Sequence, residues 1–322
     1  GGDLSLIPAG ALKVPLVHVN STFEEKLPPP TCPASGISAV SLLDPETIEE
    51  KVAQQPGTYW YLGGETNVPA QDGLCATVYA EVFHYYWQEI KAADPTAKVM
   101  SASVLNWDIP CTFVVPGDCG VQPGESWVQE FIDAYVSKYG SQPPVDVWLI
   151  DAYPLDWRNT WNGTFFQFSS PAAGIPTGMT NHQFIINQIV GMRQFLDGIP
   201  EQKDKPIWIT EMGTHSGWDG YTFPCSISGT LGVDCEGEVV GLIQPAGEYH
   251  WDWLEQYLTN LLDWLETNSE AMNIERWFFF TTYRDVTSPS PEGFGGTIMF
   301  DGPGVGANLT TLGTLYRDRA LD

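Results

Sequence analysis

Six apolar, β-type runs recur along this chain, and amphipathic stretches of helical periodicity lie between most of them, a pattern that few folds can satisfy. The runs are Lys13 to Asn20, Thr58 to Leu62, Lys98 to Asn106, Val145 to Asp151, Lys205 to Met212 and Arg276 to Thr282. Continuous apolar runs of this length, unbroken by polar alternation, belong to strands covered on both faces by helices. The helical stretches are legible from their ends. Asp44 precedes Pro45, a capping residue before a first-turn proline, and the helix runs to about Gln55 before Pro56-Gly57. Thr77 to Ala93, Glu125 to Tyr139, Asn181 to Leu196, Glu248 to Thr267 and Asn308 to Arg319 complete the helical set. Strands alternating with helices over the whole length imply a parallel sheet, and the unit size fits a (β/α) barrel. No composition break divides the 322 residues, so residues 1–322 read as a single domain.

Two of the strands end in the same way. Lys205-Pro206-Ile207-Trp208-Ile209-Thr210-Glu211-Met212-Gly213 closes on a carboxylate and a glycine. Thr58-Tyr59-Trp60-Tyr61-Leu62-Gly63-Gly64-Glu65-Thr66-Asn67 runs from aromatic residues through glycines to a glutamate. Carboxylates at the C-terminal ends of parallel strands stand where α/β folds build their sites.

These two segments resemble the acid/base and nucleophile strands of the retaining glycoside hydrolases of the large (β/α)8-barrel clan, whose fourth strand ends in Asn-Glu and whose seventh ends in Glu, commonly followed by Gly. The resemblance implies a TIM-type (β/α)8 barrel with Glu65 as general acid/base and Glu211 as nucleophile. It reaches from Asp44 onward. In such enzymes one carboxylic acid protonates the leaving oxygen while a carboxylate about 5 to 5.5 Å away attacks the anomeric carbon. Three departures are visible: Gly64 stands in place of the clan's Asn, Asp151 stands where related barrels often carry His, and phenylalanines (Phe278, Phe279, Phe280) fill the last strand in place of a terminal Trp. Only two strands reach as far as Glu65 where the clan has four. Either Leu4 to Pro8 and Gly36 to Leu43 contribute irregular strands, or the barrel is incomplete at its N-terminal side. An incomplete barrel leaves edges open to self-assembly.

Further residues at the strand ends extend the expected site. Asn67 or Asn106 is expected to replace the missing Asn at a sugar hydroxyl, and Asp151, His215 and Tyr283 to line the cleft. For Tyr153 two readings stand: it hydrogen-bonds the nucleophile, or it only packs. Trp107, Trp157, Trp161 and Trp218 suit stacking on pyranose faces, whereas Trp60, Trp148, Trp208 and Trp277 lie inside strands and read as core. Two long loops, Leu155 to Gly178 and Thr214 to Gly247, are expected to overhang the strand ends and to favour endo action on a polymer.

Composition narrows the partners. Fourteen Lys plus Arg against 40 Asp plus Glu give a formal net charge of -26. That excess argues against nucleic acid, anionic membranes and polyanionic glycans, and leaves a neutral polysaccharide or oligosaccharide as partner. No apolar run is long enough to span a membrane. The six cysteines, Cys32, Cys75, Cys111, Cys119, Cys225 and Cys235, lie in loop-like contexts and read as three disulfides: Cys111 with Cys119, Cys225 with Cys235, and Cys32 with Cys75. Such a set belongs to an oxidising compartment, hence a secreted protein. No Cys-x-x-Cys or paired-His spacing suggests a metal, and no cofactor motif is present. The chain therefore reads as a secreted retaining β-glycoside hydrolase on a β-glucan-like polymer. The alternative is a catalytically eroded barrel that binds carbohydrate or serves a structural role. A serine hydrolase is disfavoured, because no Gly-x-Ser-x-Gly elbow occurs.

Overall fold

A computed structural model of the protein describes residues 14–19, 36–68, 71–108, 122–153, 182–213, 232–233, 239–241, 251–280, 299–300 and 306–321. It resolves into two compact units interleaved in sequence: Gly1–Val104 with Ser126–Leu149, and Leu105–Glu125 with Ile150–Asp322.

The first unit holds β1 (Leu16–Val17), α1 (Pro45–Ala53), β2 (Tyr59–Leu62), α2 (Ala76–Ala93), most of β3 (Lys98–Leu105), most of α3 (Gly124–Tyr139) and the start of β4 (Val147–Ala152). β1 pairs with β2 and β2 with β3, both in parallel, and the strand order is β1-β2-β3-β4. Local chemistry places the elements. Asp44 caps α1 by accepting from the Thr47 amide at 2.9 Å, with Pro45 in the first turn. α2 turns Val78, Tyr79, Val82, Phe83, Tyr86 and Ile90 inward at helical spacing. Tyr79 and Phe83 meet Phe131 of α3 edge-on, at centroid distances of 5.0 and 5.5 Å. This aromatic layer seats the helices on strands that are themselves buried: all of β3 after Lys98 and every residue of β4. Two buried polar groups of this layer find backbone acceptors. Tyr79 Oη donates to the Leu62 carbonyl at 2.8 Å, and Trp127 Nε1 to the Leu74 carbonyl at 2.9 Å.

In the second unit β4 ends and is followed by α4 (His182–Asp197), β5 (Ile207–Met212), a small antiparallel ribbon of β6 (Gly232–Val233) and β7 (Val239–Gly241), α5 (Trp251–Asn268), β8 (Ile274–Phe279) and α6 (Thr311–Leu321). The order here is β4-β5-β8, with β5 and β8 parallel. Arg193 on α4 is 4% exposed, and its guanidinium donates to the carbonyls of Lys203 and Lys205 at 2.7 and 2.8 Å. A helix side chain thus fixes the turn that launches β5. Trp60, Trp148 and Trp208 are core residues, each no more than 2% exposed.

The fold class is α/β, as the alternation of runs implies, and the six expected strands are all present. Three expectations change. Gly36 to Leu43 is no irregular strand: Gly36–Ala39 is a 3-10 turn closed by the Val40 amide on the Ile37 carbonyl, and Leu43 is held by Tyr85 and Tyr86 hydroxyls instead of a sheet neighbour. The first strand pairs over only Leu16 and Val17. Trp277 is not core: it is half-buried and lines an open groove of about 270 Å³ together with Phe278, Tyr316 and Arg319. β8 ends the strand order, and Glu275, Arg276 and Phe278, residues from both of its faces, stay exposed. The Leu4 to Pro8 run and the two long loops lie outside the described residues, the short β6-β7 ribbon within the second loop excepted.

Candidate active site

Glu211 is the next-to-last residue of β5, in the second unit, and burial dominates its surroundings. Its Oε2 accepts a 2.6 Å hydrogen bond from the hydroxyl of Tyr153, the first residue beyond β4. Burial raises the Glu211 pKa above the ordinary carboxylate value, and the Tyr153 hydrogen bond pulls it partly back by favouring the charged form. The glycine after it has a steric reason. A Cβ on Gly213 would stand 2.6 Å from the Phe280 carbonyl oxygen, where the end of β8 comes close and Phe280 donates its amide to the Met212 carbonyl at 2.7 Å. Tyr257 of α5 donates to the Gly213 carbonyl at 2.9 Å. The Glu-Met-Gly ending is thus built from both neighbouring strands and a helix.

Beneath Glu211 lies a polar layer. Thr210 Oγ1 donates to Asp151 Oδ1 at 2.6 Å, and Asp151 is 1% exposed. The Asp151 carbonyl accepts from the Asn106 amide at 2.9 Å, and Asn106 Oδ1 accepts from the Tyr153 amide, also at 2.9 Å. Asn106 holds a left-handed backbone at φ 53°, a region where Asn is among the better-tolerated side chains. From α4, Gln188 Oε1 accepts from the Trp107 and Asp108 amides, while its Nε2 donates to Asp108 Oδ1 at 2.6 Å.

In the first unit, Glu65 sits three residues past β2 in a turn with a left-handed φ of 46°. A non-glycine residue held there costs of order 1 kcal/mol and marks a position over-determined by its surroundings. Those surroundings are specific. Ser103 Oγ accepts from the Glu65 amide at 2.9 Å and from Tyr61 Oη at 2.5 Å, the Ser103 carbonyl accepts from the Thr66 amide at 3.2 Å, and Asp72 accepts from the Gly64 amide at 3.0 Å. Gly63 begins the turn at φ 96°, with Val19 and Thr66 packed so closely that a Cβ would lie 2.9 Å from each. This is why the strand stops at Leu62 rather than running on to Asn67.

The expected sugar contacts fall into two groups. Asn67, Asn106, Trp107, Asp151 and Tyr153 are all enclosed, none more than 2% exposed. Trp107 packs edge-on against Phe195 at 5.2 Å, so its ring serves the interior instead of a pyranose face. Trp157, Trp161, His215, Trp218 and Tyr283 lie outside the described residues, as do Cys32, Cys111, Cys119, Cys225 and Cys235. Cys75 is disulfide-bonded. Ser103, Asp72, Thr210 and Gln188 were not singled out from the sequence. Only Gln188 left a trace there, as a lone amide in the apolar stripe of α4 between Ile185 and Ile189. Among the described residues no three His, Cys, Asp or Glu side chains are grouped as a metal site, and no helix is long and apolar enough to cross a membrane.

No protein-family model matches the sequence, and no curated protein matches it. Solved structures do. A GH128 (subgroup II) endo-β-1,3-glucanase from Sorangium cellulosum superposes with a TM-score of 0.52 at 16% identity, covering 98% of this chain and 85% of its own. A GH128 (subgroup II) endo-β-1,3-glucanase from Pseudomonas viridiflava gives 0.49 at 17% identity over 85% and 74%. A GH128 (subgroup I) endo-β-1,3-glucanase from Amycolatopsis mediterranei, in complex with laminaritriose, gives 0.45 at 15% over 97% and 84%. The likeness to the Sorangium enzyme shows a shared α/β fold.

Proposed function

We propose that the protein is a retaining β-glycoside hydrolase acting on a neutral β-glucan, with β-1,3-linked glucan as the first substrate to test. The observation that carries this reading is Glu211 itself, a half-buried carboxylate at a strand's C-terminal end, engaged by the Tyr153 hydroxyl at 2.6 Å. A nucleophile needs an ionised oxygen in a water-poor setting, and the Tyr153 O–H stabilises that form while burial removes competing solvent.

In this reading Glu211 attacks the anomeric carbon and Glu65 gives its proton to the leaving glycosidic oxygen, forming a glycosyl ester on Glu211. Glu65 then takes a proton from water as that water's oxygen displaces Glu211, restoring both carboxyls and the anomeric configuration. The strained turn on Ser103 and Asp72 supports the assignment of Glu65, since a carboxylate that must exchange a proton needs a fixed position. The acidic composition and disulfide-bonded Cys75 support export and a neutral polymer as partner. The fold shared with the Sorangium glucanase supports the substrate class.

The test is reducing-end release from β-1,3-glucan, β-1,4-glucan, mannan, xylan and galactan by wild type, Glu65→Ala and Glu211→Ala. Cleavage of β-1,3-glucan that both substitutions abolish supports the reading. Binding of glucan without cleavage by folded wild type overturns it in favour of a carbohydrate-binding barrel.

A further inference from the structure

We infer that Asn106 is a positioning residue for Glu211, acting through Tyr153: its side-chain carbonyl holds the Tyr153 amide, and the Tyr153 hydroxyl meets the Glu211 carboxylate. This deepens the reading of Glu211 as nucleophile and rests on it only for the consequence on turnover.

The geometry runs along one path. Asn106 follows β3 directly and is anchored on both sides by backbone, its N–H on the Asp151 carbonyl at 2.9 Å and its carbonyl receiving the Gly124 N–H at 3.0 Å. Its Oδ1 accepts the Tyr153 N–H at 2.9 Å, and Tyr153 Oη donates to Glu211 Oε2 at 2.6 Å. The orientation of the amide is chemically fixed, because a backbone N–H requires the oxygen, not the nitrogen, to face it. The cost is visible: Asn106 Nδ2 is buried with no acceptor among the described residues. A site that tolerates an unsatisfied donor gains something from the acceptor beside it. The residue must also accept φ 53° and offer a short side-chain oxygen, which leaves Asn and Asp. A second carboxylate here would sit beside buried Asp151 and work against ionised Glu211, so the neutral amide is the fitting choice.

The experiment follows the Glu211 side-chain carboxyl by ¹³C NMR titration of Glu-labelled full-length protein, the signal assigned by its loss in Glu211→Gln. Asn106→Gly keeps the positive φ and removes only the acceptor. Asn106→Gly and Tyr153→Phe should each move the Glu211 titration to higher pH, and the double variant should move it no further than Tyr153→Phe alone. On β-1,3-glucan, Asn106→Gly should lower kcat by about 10-fold with KM little changed, the size of one lost hydrogen bond to a charged group. An unmoved Glu211 titration in Asn106→Gly, or full additivity in the double variant, overturns the inference. If Asn106→Gly fails to fold, Asn106→Ala, which likewise removes the acceptor, faces the same two outcomes. Coupled titrations with no glucan cleaved by wild type would instead sink the glycosidase reading and leave the role of Asn106 standing.

Discussion

Ser103→Ala removes a single oxygen, yet that oxygen serves two donors at once: the Glu65 amide at 2.9 Å and the Tyr61 hydroxyl at 2.5 Å. Ser103 is fully buried on β3, and alanine leaves its methylene packing intact. The loss is therefore confined to hydrogen bonding. Each such bond contributes about 0.5 to 1.5 kcal/mol net, so the pair amounts to about 1 to 3 kcal/mol. Thermal unfolding followed by circular dichroism should register this as a Tm lower by about 2 to 6 °C, at roughly 2 °C per kcal/mol for a chain of this size. Tyr61→Phe is the internal control, because it deletes one donor and leaves Ser103 Oγ on the Glu65 amide; its loss should be about half. Activity separates the two variants further. Only Ser103→Ala frees the backbone of Glu65, so its kcat/KM should fall by about 10-fold or more while Tyr61→Phe stays within about threefold of wild type. Equal Tm values for Ser103→Ala and wild type would refute the tethering of the Glu65 turn. So would equal activity losses in both variants.

Three further outcomes can be measured. Burial raises the folded-state pKa of Glu211, so its contribution to stability is full below the unfolded carboxyl value of 4.5 and is lost as pH rises through the folded value. Glu211→Gln should accordingly unfold at a higher temperature than wild type at pH 7, with the difference vanishing in acid; a less stable Glu211→Gln at pH 7 would contradict the burial of that carboxylate. Gly64→Asn should fold within about 0.5 kcal/mol of wild type by urea denaturation, because a Cβ there meets only Tyr61 Oη at 3.8 Å. If the clan's Asn contact is what the site lacks, the same variant should raise kcat/KM on β-1,3-glucan; a fall would show that Gly64 is needed as glycine. Gly213→Ala drives a methyl to 2.6 Å from the Phe280 carbonyl, and should cost about 1 to 3 kcal/mol and activity together. Wild-type stability in that variant would mean that the close approach of Phe280 is absent in solution.

The two strands that lead to Glu65 and Glu211 were legible because each is a buried apolar run closed by glycine, and such runs are written in local composition. Ser103 and Thr210 were not, since a hydroxyl inside a strand looks the same whether it faces an amide or only a neighbour's methyl group. Trp107 was misjudged for a related reason. A Trp just past a strand suits a sugar face and a core equally, and only the packing of α4, through Phe195 and Gln188, decides for the core. Trp277 failed in the opposite direction, because a run of aromatics cannot say that its strand is last in the order.

By itself the sequence determined the elements: apolar runs that must be covered on both faces, helices bounded by Asp44-Pro45 and by Gly140, and a net charge of -26. These depend on interactions within a few residues and on summed composition. What only the tertiary structure decided is the pairing of groups far apart in the chain: Tyr153 with Glu211, Asn106 with Tyr153, and Ser103 with Glu65. Each hydrogen bond joins residues about 40 to 60 positions apart, and its worth depends on burial and on angstrom-scale placement that no local pattern encodes.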